Sequence, residues 1–236
     1  MAERLYFRQL LSGRDFAVGD PFATQMVNFV YLIGDRDTGE AVVIDPAYAV
    51  DDLLEVVGAD GMRLVGALAS HHHPDHIGGS FGPQGVEGLR ELLGHKAVPV
   101  HVHRDEATAV LKTAGISEAD LVAHSSGDTI DVGSVSITML HTPGHTPGSQ
   151  CFLVDGLLVS GDTLFLEGCG RTDLPGSDPE AMYDSLQKLA ALPDDVVVLP
   201  GHRYSTASVG TMGAIKEINY VYKPTSREQW LSAFGQ

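Results

Sequence analysis

The segment His71-His72-His73-Pro74-Asp75-His76 constrains this chain more than any other. At the positions that matter it reads H-x-H-x-D-H: His71, His73, Asp75 and His76. A neutral imidazole offers a nitrogen lone pair near physiological pH, which makes histidine the commonest metal ligand. Such groups crowded together without a cation would compete for few partners, a costly arrangement once buried. The residues just before, Leu64 to Ala69, are a short apolar run of the kind a buried strand uses. The cluster therefore stands at a strand end, and it calls for a metal.

Three further segments repeat that grammar. Gly144-His145-Thr146-Pro147-Gly148 follows the alternating run Val135 to Leu140, and Gly161-Asp162 follows Leu157 to Val159. Gly201-His202 follows Val196 to Leu199. Each supplies one ligand type just past a strand, beside a glycine that lets the backbone turn tightly. Four strand ends presenting His or Asp describe one site assembled from distant sequence, with nitrogen and oxygen donors that suit zinc, iron and manganese alike.

Composition narrows the partners. Lys and Arg number 15 against 31 Asp and Glu, a net charge of −16. That balance opposes nucleic acid, which is bound by displacing counterions with basic side chains. No stretch approaches the 18 apolar residues of a membrane span, so no membrane partner is expected. Met1 to Tyr6 shows no apolar signal core, and Cys151 and Cys169 cannot build a disulfide framework, so a cytoplasmic location is expected. A homodimer stays open. The 236 residues suit one domain, 1–236, because single cores stop growing at about 250–300 residues.

The chain reads as α/β. Gln25–Ile33 and Ala41–Ile44 read as a hairpin closed by Asp45-Pro46, and Asp51–Val57 as a helix. Strands are read at Leu64–Ala69 and Ala97–Val102, then a helix at Asp105–Ala114. In the second half, strands Ser134–Leu140, Cys151–Val154 and Leu157–Ser160 precede a helix from Pro179 to Ala191 and a strand Val196–Leu199. Pro179 starts that helix well, since its missing N–H costs nothing in the first turn. Two strand-rich halves, each ending in helices, argue for two sheets packed face to face with helices outside.

Together, H-x-H-x-D-H, Gly-His, Gly-Asp and Gly-His in this order resemble the metallo-β-lactamase superfamily over about Val27 to Tyr204. The resemblance implies a four-layer αββα sandwich of two mixed sheets with outer helices. It implies two divalent metal ions, zinc by default with iron or manganese as alternatives. His71, His73 and His145 would hold the first, Asp75, His76 and His202 the second, with Asp162 bridging. The finer likeness is to glyoxalase II and the related persulfide dioxygenases. Leu166 to Arg171, with Gly168-Cys169-Gly170-Arg171, looks like their glutathione-contacting loop, and Tyr204 like a thiol-substrate contact. The implied activity is hydrolysis of hydroxyacylglutathione-like thioesters by a metal-bound hydroxide, with Asp75 and Asp162 in catalytic roles. A small thiol-derived molecule would be the partner, held by Arg171 and Tyr204. The alternative is a one-iron persulfide dioxygenase with His71, His145 and Asp162 as the facial triad. Arg203, the short tail Val209–Phe234 and the Arg171-Thr172-Asp173 run lean toward the dioxygenases, whereas Ser70 and the insertion Ser80–Gly94 do not.

The remaining histidines have plainer readings. His72 is a bystander between ligands, and His141 is expected to orient the following loop. His101 and His103 share a strand face without a ligand companion, and His95 and His124 are read as surface residues. A salt bridge to Asp173 or Asp178 is the structural alternative for Arg171, and a packed ring for Tyr204.

Overall fold

A computed structural model of the chain describes residues 4–234; Met1 to Glu3, part of the N-terminal segment read above, lie outside the described residues, as do Gly235 and Gln236. The first half runs β1 (Leu5–Leu11), α1 (Pro21–Met26), β2 (Phe29–Asp35), β3 (Glu40–Ile44), α2 (Val50–Ala59), β4 (Arg63–Leu68) and α3 (Pro74–Ile77). A small hairpin follows, β5 (Gly79–Phe81) and β6 (Gln84–Val86), then α4 (Leu89–His95), β7 (Val100–His103), α5 (Ala107–Ala114) and β8 (Leu121–His124). The second half holds β9 (Thr129–Val132), β10 (Val135–His141), β11 (Gln150–Val154), β12 (Leu157–Gly161), α6 (Pro179–Ala190) and β13 (Val197–Pro200). It ends with β14 (Gly210–Thr211), α7 (Met212–Ile218) and α8 (Arg227–Phe234).

One six-stranded sheet has the order β1-β2-β3-β4-β7-β8 and the other β14-β13-β12-β11-β10-β9. Both are mixed. β3, β4, β7 and β8 pair in parallel while β1, β2 and β3 pair antiparallel, and the second sheet has one parallel pair, β12 with β13. Strand β2 is buried along its whole length because it faces apolar layers on both sides. Phe29, Tyr31 and Ile33 point between the sheets, where they meet Ile137, Met139, Phe152 and Val159. Val30 and Leu32 point outward to the layer holding Leu53 and Val57 of α2. On the far side, Met182, Leu186 and Leu189 of α6 cover the second sheet with Met212, Ile215 and Trp230. Three apolar layers between four layers of structure make the αββα sandwich.

The expected elements recur with shifted ends and some splits. Gln25–Ile33 is not one strand: Asp20 accepts from Phe22 N and Ala23 N, capping α1, and Val27 ends it in a left-handed conformation. Pro21 at the first turn and the aspartate cap outweigh the apolar run that follows. β1, β8 and β9 escaped the sequence reading because their alternation is short or interrupted by charge. The Ser80–Gly94 insertion folds as the β5–β6 hairpin and α4.

The two sheets are bonded together at one edge. Phe29 N donates to Gly201 O at 2.8 Å, Arg203 N to Val27 O at 3.0 Å and Gln150 N to Ser70 O at 2.9 Å. The Tyr31 hydroxyl reaches Pro200 O at 2.6 Å. At this edge β3, β4, β10, β12 and β13 all end.

The C-terminal tail is anchored rather than loose. Trp230 is 1% exposed, donates Nε1–H to Val221 O at 3.1 Å and meets Tyr183 edge-on. Trp230→Ala should cost about 3–5 kcal/mol, the usual range for emptying a buried large aromatic site. Urea unfolding checks this, and a change below about 1 kcal/mol would mean the tail does not contribute to the core.

Candidate metal centre

The seven ligand candidates meet at the bonded edge. His71 and His73 come from the loop after β4, Asp75 and His76 from the one-turn helix α3, and His145 from the loop after β10. Asp162 follows β12 and His202 follows β13. His71 Nε2 lies 3.1 Å from His73 Nδ1, which lies 3.0 Å from His145 Nε2. His76 Nε2 and His202 Nε2 are 3.1 Å apart, and Asp75 Oδ2 is 3.4 Å from His202 Nε2 and 3.6 Å from His76 Nε2. Asp162 stands between the two groups. Its Oδ1 is 3.4 Å from His76 Nε2, and its Oδ2 is 3.4 Å from His202 Nε2 and 3.8 Å from His145 Nε2.

Hydrogen bonds fix which nitrogens face inward. His145 Nδ1 lies 2.8 Å from Arg171 O and His202 Nδ1 lies 2.8 Å from Met26 O. A carbonyl only accepts, so both carry the proton on Nδ1 and leave Nε2 bare. His76 Nδ1 donates to Asp45 Oδ2 at 2.9 Å. The Ser70 hydroxyl donates to Asp45 Oδ2 at 2.6 Å and therefore accepts from His71 Nδ1 at 3.0 Å. Four imidazoles thus turn bare lone pairs toward one another. Oxygen partners of this kind orient metal-binding histidines.

The donors fit a cation. A tetrahedral shell at ordinary zinc–nitrogen lengths has edges of about 3.3 Å, the spacing seen here. Asp162 Oδ1 is buried and has no hydrogen-bond partner among the described residues. Glycine keeps the space open: a Cβ on Gly201 would sit 2.3 Å from Asp162 Oδ1, and one on Gly170 1.9 Å from Asp162 O.

Three residues that no motif announced complete the setting. Asp45 holds Ser70 N at 2.7 Å besides the Ser70 hydroxyl and His76. Glu106, 1% exposed, accepts from His72 N at 2.9 Å, Thr146 Oγ1 at 2.8 Å and Gly148 N at 2.7 Å, and touches His72 Nδ1. It ties the His71–His73 loop to the His145 loop. Burial alone would raise the Glu106 carboxyl, but these donors hold it below its ordinary value. Asn28 is buried beside Asp75, His76 and His202. Their sequence surroundings are an Asp-Pro turn, a helix start and a strand start, none of them a ligand pattern.

The other histidines divide. His72 turns to Glu106, away from the ligands, as a bystander should. His141 Nε2 reaches Pro147 O at 2.9 Å and steadies the His145 loop. His124 is not a surface residue: it is half-buried and pairs with His101 at 2.9 Å because β7 and β8 are parallel neighbours. His103 has companions too, since its ring stacks on His141 at 3.7 Å with Asp105 nearby. Those planes are only 8° apart, so the rings stack face to face, and with Asp105 their donor atoms lie within 4.8 Å of one another. Arg171 supplies its carbonyl to His145, while its guanidinium is taken by Asp173 at 2.9 and 2.8 Å and is largely exposed. The Tyr204 ring stacks on His202 at 4.7 Å, half open to solvent.

The model of the metallo-β-lactamase superfamily matches residues 23–202, which contain all seven ligand candidates. The chain belongs to this superfamily. Among its relatives, a hydroxyacylglutathione hydrolase of Xanthomonas campestris pv. campestris is 37% identical over 182 residues, 77% of this chain and 63% of that protein. This chain thus spans less than two thirds of that relative. A probable polyketide biosynthesis zinc-dependent hydrolase, BaeB of Bacillus velezensis, is 28% identical over 87% of this chain and 86% of its own length. The crystal structure of ETHE1 from Myxococcus xanthus superposes with a TM-score of 0.80 at 29% identity, covering 98% of this chain and 90% of that one.

Electrostatics separate the two halves of the centre. Burial and neighbouring imidazoles depress His71 well below its ordinary value and His73 to about 4. Burial would lower His76 and His202 too, but the carboxylates of Asp162 and Asp75 outweigh it and raise both. Protons are therefore held more weakly at His71 and His73 than at His76 and His202, where a cation must compete with them. Metal affinity of the Asp75–His76–His202 group should climb with pH by up to about tenfold per unit for each proton displaced. Affinity of the His71–His73 side should stay nearly flat. Zinc titrations between about pH 6 and pH 8 measure both, and two equally flat profiles would contradict the assignment.

Proposed function

We propose that this chain is a binuclear metallohydrolase acting on acyl-thiol esters of the hydroxyacylglutathione type. The observation that carries a second cation beside the His71–His73–His145 group is a set of distances that are wrong for hydrogen bonds. Charge-assisted N–H···O bonds run about 2.7–2.9 Å. The four contacts of Asp75 and Asp162 with His76 and His202 are 3.4 to 3.6 Å, the spacing of atoms sharing an ion. His71, His73 and His145 would hold the first cation, Asp75, His76 and His202 the second, and Asp162 would join both. The hydrolase named in Xanthomonas supports the thioester, and the zinc-dependent BaeB supports zinc and hydrolysis in a chain of similar extent.

When bound, a cation pair supplies Lewis acidity and brings the pKa of water toward neutrality. The chain's own groups do the rest. Asp75 and Asp162 stay ionised because surrounding imidazoles outweigh the burial that would otherwise raise them, so each offers a proton-accepting oxygen at the reacting centre. The neutral Tyr204 phenol, raised by burial and by both carboxylates, presents a donor at the mouth beside His202. A thiolate leaves without strong acid assistance, so a weak acid such as the Tyr204 phenol is sufficient. A reducing, cytoplasmic setting goes with this reading, since Cys151 and Cys169 are free thiols that burial raises to about 11 and about 12.

The second reading is a one-iron persulfide dioxygenase using His71, His145 and Asp162, and the likeness to ETHE1 favours it, less strongly. Metal content separates the two. Two ions per chain with chelator-sensitive thioester cleavage supports hydrolysis, whereas one iron with oxygen uptake on glutathione persulfide replaces it.

His71→Ala and Asp162→Ala should abolish turnover under both readings. His202→Ala should cut a two-metal hydrolase by at least about 100-fold, the loss expected when the ion is not held. A His202→Ala protein with near-full activity would eliminate the two-metal reading. Arg171 is expected to meet a substrate carboxylate only by leaving Asp173, across solvent. Arg171→Ala should therefore raise KM for a glutathione thioester only about two- to fivefold, the scale of exposed ion pairs. Steady-state kinetics checks this, and an unchanged KM removes Arg171 from the substrate site.

A further inference from the structure

Asn28 is 1% exposed and its amide faces the second group of ligands. Nδ2 lies 3.1 Å from Asp75 Oδ2 and 3.4 Å from both His76 Nε2 and His202 Nε2. Its Oδ1 accepts from the Tyr48 hydroxyl at 3.0 Å. Only one orientation of the amide suits these neighbours. A carboxylate only accepts, so the NH2 end belongs against Asp75 and the carbonyl belongs to the phenol. Apart from the ligand imidazoles, Asn28 is the one hydrogen-bond donor to the Asp75 carboxylate among the described residues.

Both partners are held from outside the centre. The Asn28 backbone bridges to His202 and accepts from Ser12 N at 3.0 Å, so it moves with the β13 end. Tyr48 is buried, its amide donates to Glu87 O at 2.9 Å, and Phe22 meets its ring edge-on. Tyr48 also keeps a positive φ of 67°, a strained conformation for a bulky residue. Strain of that kind persists where the surroundings over-determine it, typically at functional sites. Asp45, three residues earlier in the same turn, has φ of 55° and anchors His76.

We propose that Tyr48 and Asn28 are positioning residues for the second cation: the phenol orients the amide, and the amide holds the ligating oxygen of Asp75. This rests on the two-cation reading above. Without the relay, Asp75 could turn about its Cβ–Cγ bond and present its carboxylate to the ion in several ways. The first cation, held by His71, His73 and His145, touches neither residue.

The test is a titration of metal-free protein with zinc against a chromophoric chelator, for wild type, Asn28→Leu and Tyr48→Phe. Asn28→Leu removes both ends of the amide at nearly constant volume. It should weaken the second ion about 10- to 100-fold and leave the first within about twofold, the range found when partners behind metal ligands are removed. Tyr48→Phe should weaken the second ion in the same direction by less. Thioester turnover in both variants should recover at excess zinc with KM unchanged, which damage to the fold would not allow. Equal weakening of both ions, or no weakening of either, overturns the relay. Should Asn28→Leu fail to fold, Tyr48→Phe decides, and an unchanged second-ion affinity there overturns it. Uptake of a single ion by wild type overturns the two-cation reading itself, which is a different failure.

Discussion

The structure turns on a choice of tautomer. His71, His76, His145 and His202 each commit Nδ1–H to an oxygen fixed by the surrounding chain, and Nε2 then has nowhere to point but the centre. Bare lone pairs about 3 Å apart repel, and a metal-free protein can relieve that only by taking up protons. The four imidazoles are thus oriented by the chain itself. Asp45 is the strongest link, because it serves His76 directly and His71 through Ser70, so one carboxylate reaches both halves of the site.

That arrangement needs backbones placed within tenths of an ångström, which explains why the site lies on the seam between two sheets. The seam is bonded across, Phe29 to Gly201, Val27 to Arg203 and Ser70 to Gln150, so the ends of β4 and β13 cannot drift relative to β2 and β11. Asp162 and Gly201 approach so closely that only glycine fits at 201. The apolar layer between the sheets, built from Tyr31, Ile33, Met139 and Phe152, sets the spacing that lets the four ligand-bearing segments converge. A buried carboxylate such as Glu106 then adjusts what packing cannot, joining two ligand loops through three strong acceptor contacts.

The candidate ligands could be picked out in the sequence because His145, Asp162 and His202 each follow a glycine at the end of an apolar run, and the other four crowd into one short segment after such a run. The supporting groups could not. Asn28, Asp45 and Glu106 sit at a strand start, a turn and a helix start, where Asn, Asp and Glu are ordinary. Only the register of distant segments reveals their work. The same limit explains the pairing of His101 with His124 and of His103 with His141, which depends on β7 lying beside β8 and on the rings of separate sheets meeting. Arg171 carried two readings, a substrate contact implied by the resemblance and a salt bridge to Asp173 or Asp178; its guanidinium pairs with Asp173, and its carbonyl reaches His145.

What lies outside the ligands points to a neutral and aromatic entrance. Tyr204 stacks on His202 and meets Phe165 edge-on at 5.0 Å. Phe165 N bonds to Gly168 O, and a Cβ on Gly168 would strike the Tyr220 hydroxyl, so the loop bearing Cys169 and Arg171 runs directly against Tyr220. Phe234 tilts onto Tyr220 at 5.7 Å, and Thr172 Oγ1 donates to Phe234 O at 2.9 Å. Helix α8 therefore packs on the Gly168–Thr172 loop from outside. In a chain of net charge −16, a substrate with several carboxylates gains little from long-range attraction and depends on local contacts. On the thioester reading proposed above, recognition would fall to ring faces and to the metal centre, with charge pairing at Arg171 a secondary contribution exposed to salt.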